Sequence, residues 1–349
     1  MPHWPVLYRH ILPCLMLFLI SARICFYLVQ RAKVLDIPNS RSSHSNSTPT
    51  LGGIAIVTTF YLGLGLAWIF GEIPEAWQSR ILGIAGAGLL VAGISLYDDL
   101  KDLPSFIRLL TQTGAALLVT ALSLGGQTGS VPGVFPPLVW HTAAVLAALI
   151  WMTGLTNALN FMDGLNGMTG GNAFIAALFF GLISLSRGSG LTLILSYALA
   201  AGILGFLIFN FPRGRLFMGD VGSAFLGFIF AALAIFGSLY ASIPLPVIPL
   251  LFFHFIFDTG FTLIRRWRRG ENVFQAHRSH LYQLLNQTGL SHTAVSGLYI
   301  AMAFFQGLGA LWLDRNPGLE GLLIFIPFLG AQILYSYLVM SLARKKGLI

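Results

Sequence analysis

Charge is what this sequence has least of. Only 9% of its 349 residues are Asp, Glu, Lys or Arg, where a soluble domain carries about a quarter, so a single water-soluble core is excluded. It has two cysteines, Cys14 and Cys25. Both fall in the first apolar segment, which leaves no disulfide framework and no metal-binding motif. No basic stretch followed by a small-residue cleavage site opens the chain, so the first apolar run is expected to stay as a span. A low-complexity tail, an internal repeat and the alternating pattern of a membrane β-barrel are missing too.

What is present is apolar. Hydrophobic residues make up 56% of the chain, in runs of about 20, each long enough to cross a hydrocarbon layer roughly 30 Å thick. The expected fold is all-α, a polytopic integral membrane protein forming a single transmembrane unit over 1–349. Eleven spans fit, at about 5–29, 51–70, 80–98, 106–124, 138–158, 170–187, 190–210, 222–242, 245–265, 293–313 and 319–342. An odd number puts the termini on opposite sides. One set of loops carries fifteen Lys and Arg, among them Arg31, Lys101, Arg108, Arg213, Arg265 and Arg344; the other carries four, Arg9, Arg80, Arg187 and Arg315. By the positive-inside rule the N-terminus is expected outside and the C-terminus in the cytoplasm. The net charge of +8 then reflects orientation and attraction to anionic membrane lipids, not nucleic acid.

That map sorts the polar motifs. RSSHSNSTPTLGG (41–53), YDDLKDLPSF (97–106), NALNFMDGLNG (157–167), FNFPRGRLFMGDVGS (209–223) and the basic 265–281 segment with HRSHL all fall on the cytoplasmic side. The expected active-site loops lie at about 30–50, 98–106, 157–170, 210–222 and 265–292. The opposite loops, such as GEIPEAWQ and SRGSG, are short and hold little chemistry.

Adjacent acids Asp98 and Asp99 end the third span. Two carboxylates at such a boundary suit Mg²⁺, which takes carboxylates, waters and substrate phosphates; the plainer reading is a solvated helix end, and Asp102 is read that way. Asn157, Asn160 and Asp163 are three apart, along one side of a helix, and Gly164 and Gly167 let the chain turn after them. A polar helix end is the plainer reading, but no charge is present that would merely solubilise it. Asp220 stands between Gly219 and Gly222 before the eighth span. An acid there is favoured by the helix dipole alone, or serves as a metal ligand. With Arg213 and Arg215 nearby in sequence, the four acids make an arrangement for a divalent cation bridging phosphates. His277 and His280 share a face if helical, and with neither Cys nor an HExxH pattern alongside them, zinc is disfavoured against phosphate binding with Arg278. Lys101 joins that basic set beside the acid pair. His44, next to the STPTLGG turn, is within reach of a ligand, and Asp258 is an intramembrane acid and so a site candidate by default.

Together these motifs resemble the polyprenyl-phosphate N-acetylhexosamine-1-phosphate transferases of glycosyltransferase family 4. The matching elements are HSNSTPTLGG (44–53), the DD at 98–99, NxxNxxDGxNG (157–167), FN followed by FMGDVGS (209–223) and HRSHLYQ (277–283), in the family's order. The resemblance implies an eleven-span fold in the bacterial inner membrane with its active site on the cytoplasmic face. It implies Mg²⁺ (or Mn²⁺) and transfer of sugar-1-phosphate from a UDP-N-acetylhexosamine to undecaprenyl phosphate, with a homodimer also compatible. Asp98 and Asp99 then look like the acids near metal and acceptor phosphate, Asn160 and Asp163 like nucleotide-sugar or catalytic residues, and Asp220 like a direct metal ligand. Asn210 matches the asparagine before the GD motif, and His277 and His280 the substrate-binding loop. Asn166 stands where many members have a second acid. HRSH replaces the triple histidine typical of the peptidoglycan-precursor enzymes, which tilts the reading toward initiation of O-antigen or other surface polysaccharides. The alternatives are phospho-N-acetylmuramoyl-pentapeptide transfer, a transporter, or a non-catalytic scaffold. A transporter would place its polar residues near the bilayer midplane of repeated halves, and here they cluster at helix ends.

Overall fold

The structure is a computed structural model and describes residues 6–31, 34–37, 47–124, 137–273, 275 and 277–349. It is almost wholly helical. Helix α1 (Val6–Arg31) is followed by a two-stranded antiparallel ribbon, β1 (Leu35–Asp36) and β2 (Thr48–Pro49), in which Leu35 pairs with Pro49 and Asp36 with Thr48. Then come α2 (Gly53–Ile69), α3 (Glu75–Lys101), α4 (Ser105–Leu124), α5 (Pro137–Phe161), α6 (Met168–Ser186), α7 (Gly190–Asn210) and α8 (Asp220–Tyr240). The last third holds α9 (Val247–Leu251), α10 (Phe253–Arg268), α11 (Leu281–Gln287), α12 (His292–Arg315), α13 (Leu319–Leu322) and α14 (Phe325–Lys345).

Among the described residues nine helical segments are long and apolar enough to cross a membrane, and α2, at 17 residues, is shorter. These ten fall on ten of the expected spans. The span expected at 245–265 is divided: α9 stops at Leu251, Phe252 leaves helical geometry at φ −110° and ψ 18°, and α10 restarts at Phe253. Hydropathy runs unbroken through this point, so the division was invisible in the sequence. A buried polar anchor lies just beyond it, where the His254 ring sits 2.6 Å from Gln306 Oε1 and 2.8 Å from Asn172 Oδ1.

Helix α8 forms the axis. Every residue from Val221 to Gly237 is buried, as expected for a helix apolar all round, and α2, α3, α5 and α9 pack against it. By contrast α1 and α14 leave Ile11, Leu15, Leu19, Leu329, Ile333 and Leu334 exposed. Contiguous exposed apolar surface of this kind belongs against lipid or a partner.

One close approach fixes the start of the axis. The amides of Gly52 and Gly53 donate to the carbonyls of Phe217 (2.9 Å) and Met218 (2.8 Å). A Cβ on Gly53 would lie 2.3 Å from both N and Cα of Gly222, so only glycine lets these backbones meet. The LGG and MGDVGS motifs are thus packing partners as well as neighbours of the site.

Candidate functional site

The C-terminal ends of α3, α5 and α7 and the N-terminal ends of α4 and α8 surround a cavity of about 760 Å³, closed on one side by the β1–β2 ribbon and on another by the α11 segment. Its wall includes Asp98, Asp99, Asp163 and Asp220, together with Asn160, Asn210 and Arg278. Seven of the sequence-predicted site residues therefore meet in one place.

Each acid is held differently. Asp98, in the last turn of α3, accepts from the Leu103 amide (2.6 Å) and from Arg108 Nη1 (2.6 Å). The same Arg108 nitrogen lies 2.6 Å from Asp220 Oδ2, so one guanidinium bridges two carboxylates from different helices. The Asp99 carboxylate accepts from the amides of Asp220 (2.9 Å) and Val221 (3.0 Å). It thereby satisfies the orphan donors at the start of α8 and meets the positive end of its dipole. Gly219, at φ 75°, permits this, since a Cβ there would lie 2.7 Å from Asp99 Oδ2. Burial pushes the Asp163 carboxyl up to about 7; a hydrogen bond from Thr169 opposes the rise, and the charges of Asp220 and Asp99 add to it.

The asparagines mostly tie segments together. Asn160 donates to Ser223 Oγ (3.0 Å), joining α5 to α8. Asn210 accepts from the Gly167 amide (2.6 Å) and donates to the Leu216 carbonyl (2.9 Å), locking the two turns that carry Asp163 and Asp220. Asn166 donates to the Pro212 carbonyl (3.2 Å), a neutral bridge between the same turns.

Four predicted residues stand away from the wall. Asn157 donates to Gln112 Oε1 (2.7 Å) and to the Thr153 carbonyl (2.8 Å), tying α5 to α4. Three residues advance a helix by about 300°, so Asn157 is turned about 60° from Asn160 on α5, while Asp163 lies beyond the end of that helix at Phe161. Lys101 is exposed at the end of α3. His280 is buried with Nδ1 3.3 Å from Asp258 Oδ1. Burial pushes the His277 imidazole down to about 4, with the neighbouring His280 adding to the fall, so His277 is neutral at ordinary pH and supplies no charge to a phosphate. His44 lies outside the described residues.

Asp258 is not a wall residue either. Its carboxylate accepts from the amides of Leu281 (2.8 Å) and Tyr282 (3.2 Å), from Tyr299 Oη (2.8 Å) and from Thr262 Oγ1 (3.2 Å). The buried acid is thus fully hydrogen-bonded, and it clamps the HRSHLYQ segment so that Arg278, Gln283 and Asn286 reach the cavity. Tyr282 completes the clamp by donating to the Phe161 carbonyl at the end of α5 (3.0 Å).

Sequence reasoning missed Arg108, Asp36, Thr50, Gln283, Asn286 and His292 on the wall, and Asp102, read as a solvated helix end, lines it too. Arg108 carried a usable signal. It occupies the first turn of α4, where the helix dipole disfavours a cation, and it needs carboxylates to justify that position.

A family description, Glycosyl transferase family 4, matches residues 81–238. A probable undecaprenyl-phosphate N-acetylglucosaminyl 1-phosphate transferase of Bacillus subtilis (strain 168) is 30% identical, covering 86% of this chain and 83% of that protein. The chain belongs to glycosyl transferase family 4. An undecaprenyl-phosphate alpha-N-acetylglucosaminyl 1-phosphate transferase of Escherichia coli O157:H7 is 27% identical, over 93% of this chain and 89% of its own. A decaprenyl-phosphate N-acetylglucosaminephosphotransferase of Mycobacterium leprae (strain TN) is also 27% identical, over 83% and 80%. The family match runs from α3 through α8 and so takes in Asp98, Asp99, Asp163 and Asp220 with their asparagines. The Asp258 clamp lies beyond it.

Proposed function

We propose that this protein transfers N-acetylglucosamine-1-phosphate from UDP-N-acetylglucosamine to undecaprenyl phosphate, releasing UMP, at the cytoplasmic face of a bacterial inner membrane. The sugar and the polyprenyl acceptor follow the names of its relatives. The orientation rests on the fifteen-to-four division of Lys and Arg among the loops. The lipid-linked product would start an O-antigen or another surface polysaccharide, a reading supported by HRSH at 277–280.

The observation that carries the reaction is the acidity of the cavity. Six aspartates and two arginines line it, while both substrates are phosphate anions. Two like unit charges 4 Å apart repel by about 4 kcal/mol at an effective dielectric of 20, so anions enter such a cavity only with cations. Among the described residues no three His, Cys, Asp or Glu side chains are arranged to hold an ion by themselves. Mg²⁺ takes one or two carboxylates and completes its shell with substrate phosphates and water. Asp220 and Asp99 would hold it, with Asp163 beside them; bound there, it would neutralise charge on the diphosphate and the departing UMP.

The protein's own groups do the rest. An oxygen of the acceptor phosphate attacks the β-phosphorus of the donor, and the bond from that phosphorus to the bridging oxygen breaks, leaving UMP. The sugar's anomeric bond is untouched, so its configuration is kept. A phosphate monoester has its second pKa near 6, so the nucleophile needs no strong base. Asp98 holds Arg108 at the mouth of α4, where the guanidinium can meet phosphate oxygens in the forked geometry arginine favours. Arg278 and Gln283, fixed by the Asp258 clamp, face the same space.

The test is purified protein with undecaprenyl phosphate, Mg²⁺ and a panel of radiolabelled UDP-N-acetylhexosamines. Labelled lipid and UMP are expected with the N-acetylglucosamine donor. Failure with every donor counts against the reaction, and normal turnover by Asp220→Asn removes that residue as the metal ligand.

A further inference from the structure

A second cavity, of about 690 Å³, lies between α10 and α14 and shares no wall residue with the first. Its rim carries five cations and no acid: Arg265, Arg268, Arg269, Arg344 and Lys345. Among the described residues, the side chains of Arg268, Arg269, Arg344 and Lys345 form no ion pair or hydrogen bond. Arg265 is partly committed, with Nη2 donating to the Ser279 carbonyl, yet its Nε is buried without a partner. Topology alone asks for basic residues near the helix ends. It does not ask that two separate helices aim five of them into one concavity.

The floor of the cavity has the opposite character. Ile264 and Ile333 lie on the two helices ahead of their charged C-terminal ends, while Phe261 and Met340 sit directly against Arg265, its guanidinium 6.0 Å from the Phe261 ring centre and its Nη1 2.9 Å from Met340 Sδ. Ile264 and Ile333 are 53% and 55% exposed, and Tyr337 beside them is 69% exposed. The lining is therefore amphiphilic in one direction, cationic at the helix ends and apolar toward the middle of the spans. A soluble anion would use the rim and leave the floor bare, whereas a lipid with an anionic head uses both.

We propose that this groove binds an anionic phospholipid of the surrounding bilayer, with its phosphate on the arginine rim and an acyl chain along Phe261, Ile264 and Ile333. Five cations on a wall that holds no carboxylate, with Glu271 the nearby acid acting on Arg265 and Arg269, favour a head bearing two phosphates. The acceptor lipid is a different ligand, because its phosphate must enter the acid-lined cavity. The groove stands whether or not the proposed transfer reaction is right. Through Arg265 and Ser279 it touches the segment that Asp258 clamps, so a lipid here also braces α11.

Native mass spectrometry of the detergent-purified full chain tests this with added cardiolipin, phosphatidylglycerol and phosphatidylcholine. The parent should retain a single cardiolipin, less phosphatidylglycerol and no phosphatidylcholine. R268Q/R344Q should weaken retention by roughly thirty-fold, the effect of losing two basic groups at a membrane surface. R268K/R344K should restore most of it, and R31Q, a basic residue on the same face but outside the groove, should change nothing. Thermal unfolding of each variant without lipid separates lost binding from lost folding. Equal retention by R268Q/R344Q, equal retention of phosphatidylcholine, full displacement by inorganic phosphate, or binding of undecaprenyl phosphate alone would each overturn the proposal.

Discussion

Arg108 lies ten residues beyond Asp98 and 112 residues before Asp220, and one of its nitrogens serves both. Removing it leaves two carboxylates facing each other with nothing between. The arginine and Asp220 side chains are about a third exposed, at 31% and 32%, so solvent screens part of that repulsion. Arg108→Met should lower stability by about 1–2 kcal/mol, read by thermal unfolding in detergent. Turnover should fall more steeply, by about a hundred-fold, if the guanidinium also meets phosphate in the transition state. Arg108→Lys keeps the charge but loses the fork, and should recover stability better than rate. A Met variant with unaltered turnover would confine Arg108 to a structural bridge. Asp163 makes a second prediction. Its carboxyl titrates near 7 in the folded protein against an ordinary value of 3.8. A raised value means that the folded state holds the proton more tightly, so this contribution to stability is complete below about pH 4 and is lost as pH rises through 7. A cation needs the carboxylate, so Mg²⁺ should raise the melting temperature little near pH 6 and more near pH 8, releasing protons as it binds. Asp163→Asn should flatten that dependence. An identical Mg²⁺ response in parent and variant would separate Asp163 from the metal.

At the scale of helices, the start of α2 is pressed onto the start of α8. Gly53→Ala puts a methyl 2.3 Å from the Gly222 backbone, and neither partner is a flexible side chain that could move aside. The substitution should destabilise by about 1–3 kcal/mol and displace Asp220 relative to the Asp99 carboxylate that caps its helix, so turnover should drop with it. Gly65, on the same helix, has nothing within 4 Å of an added Cβ. There alanine should stabilise by up to about 1 kcal/mol through helix propensity. Equal effects at the two positions would deny the close approach any special place. The contrast also marks what was legible beforehand. Helix positions followed from apolar run length, and the acid motifs stood out because polar residues interrupted those runs. The division at Phe252, the short α11 and the β1–β2 ribbon left no such trace, being set by partners distant in sequence. His280 reads as a ligand until Asp258, 22 residues away, is found beside it. Arg108 reads as topology until two carboxylates are found around it. In each case residue type was visible and the partner was not.

For the molecule as a whole, the decisive question is whether all of the acid-bearing helix ends open to one compartment. The C-terminus of α3 and the N-terminus of α8 are joined by the Asp99 hydrogen bonds and the Arg108 bridge, so they share a side by geometry. Which side it is rests on the distribution of Lys and Arg. Thiol labelling decides it in a background carrying Cys14→Ser and Cys25→Ser, since these are the chain's two cysteines. Lys101→Cys and Arg213→Cys probe exposed positions near the cavity, and Glu320→Cys probes the exposed turn at α13. A membrane-impermeant reagent should label Glu320→Cys on intact cells. It should label Lys101→Cys and Arg213→Cys only in inverted vesicles. Labelling of all three from outside would reverse the proposed orientation and leave a cytosolic nucleotide-sugar no route to the cavity. Labelling of Lys101→Cys and Arg213→Cys from opposite faces would contradict the Arg108 bridge itself, because no guanidinium reaches across a hydrocarbon layer of about 30 Å.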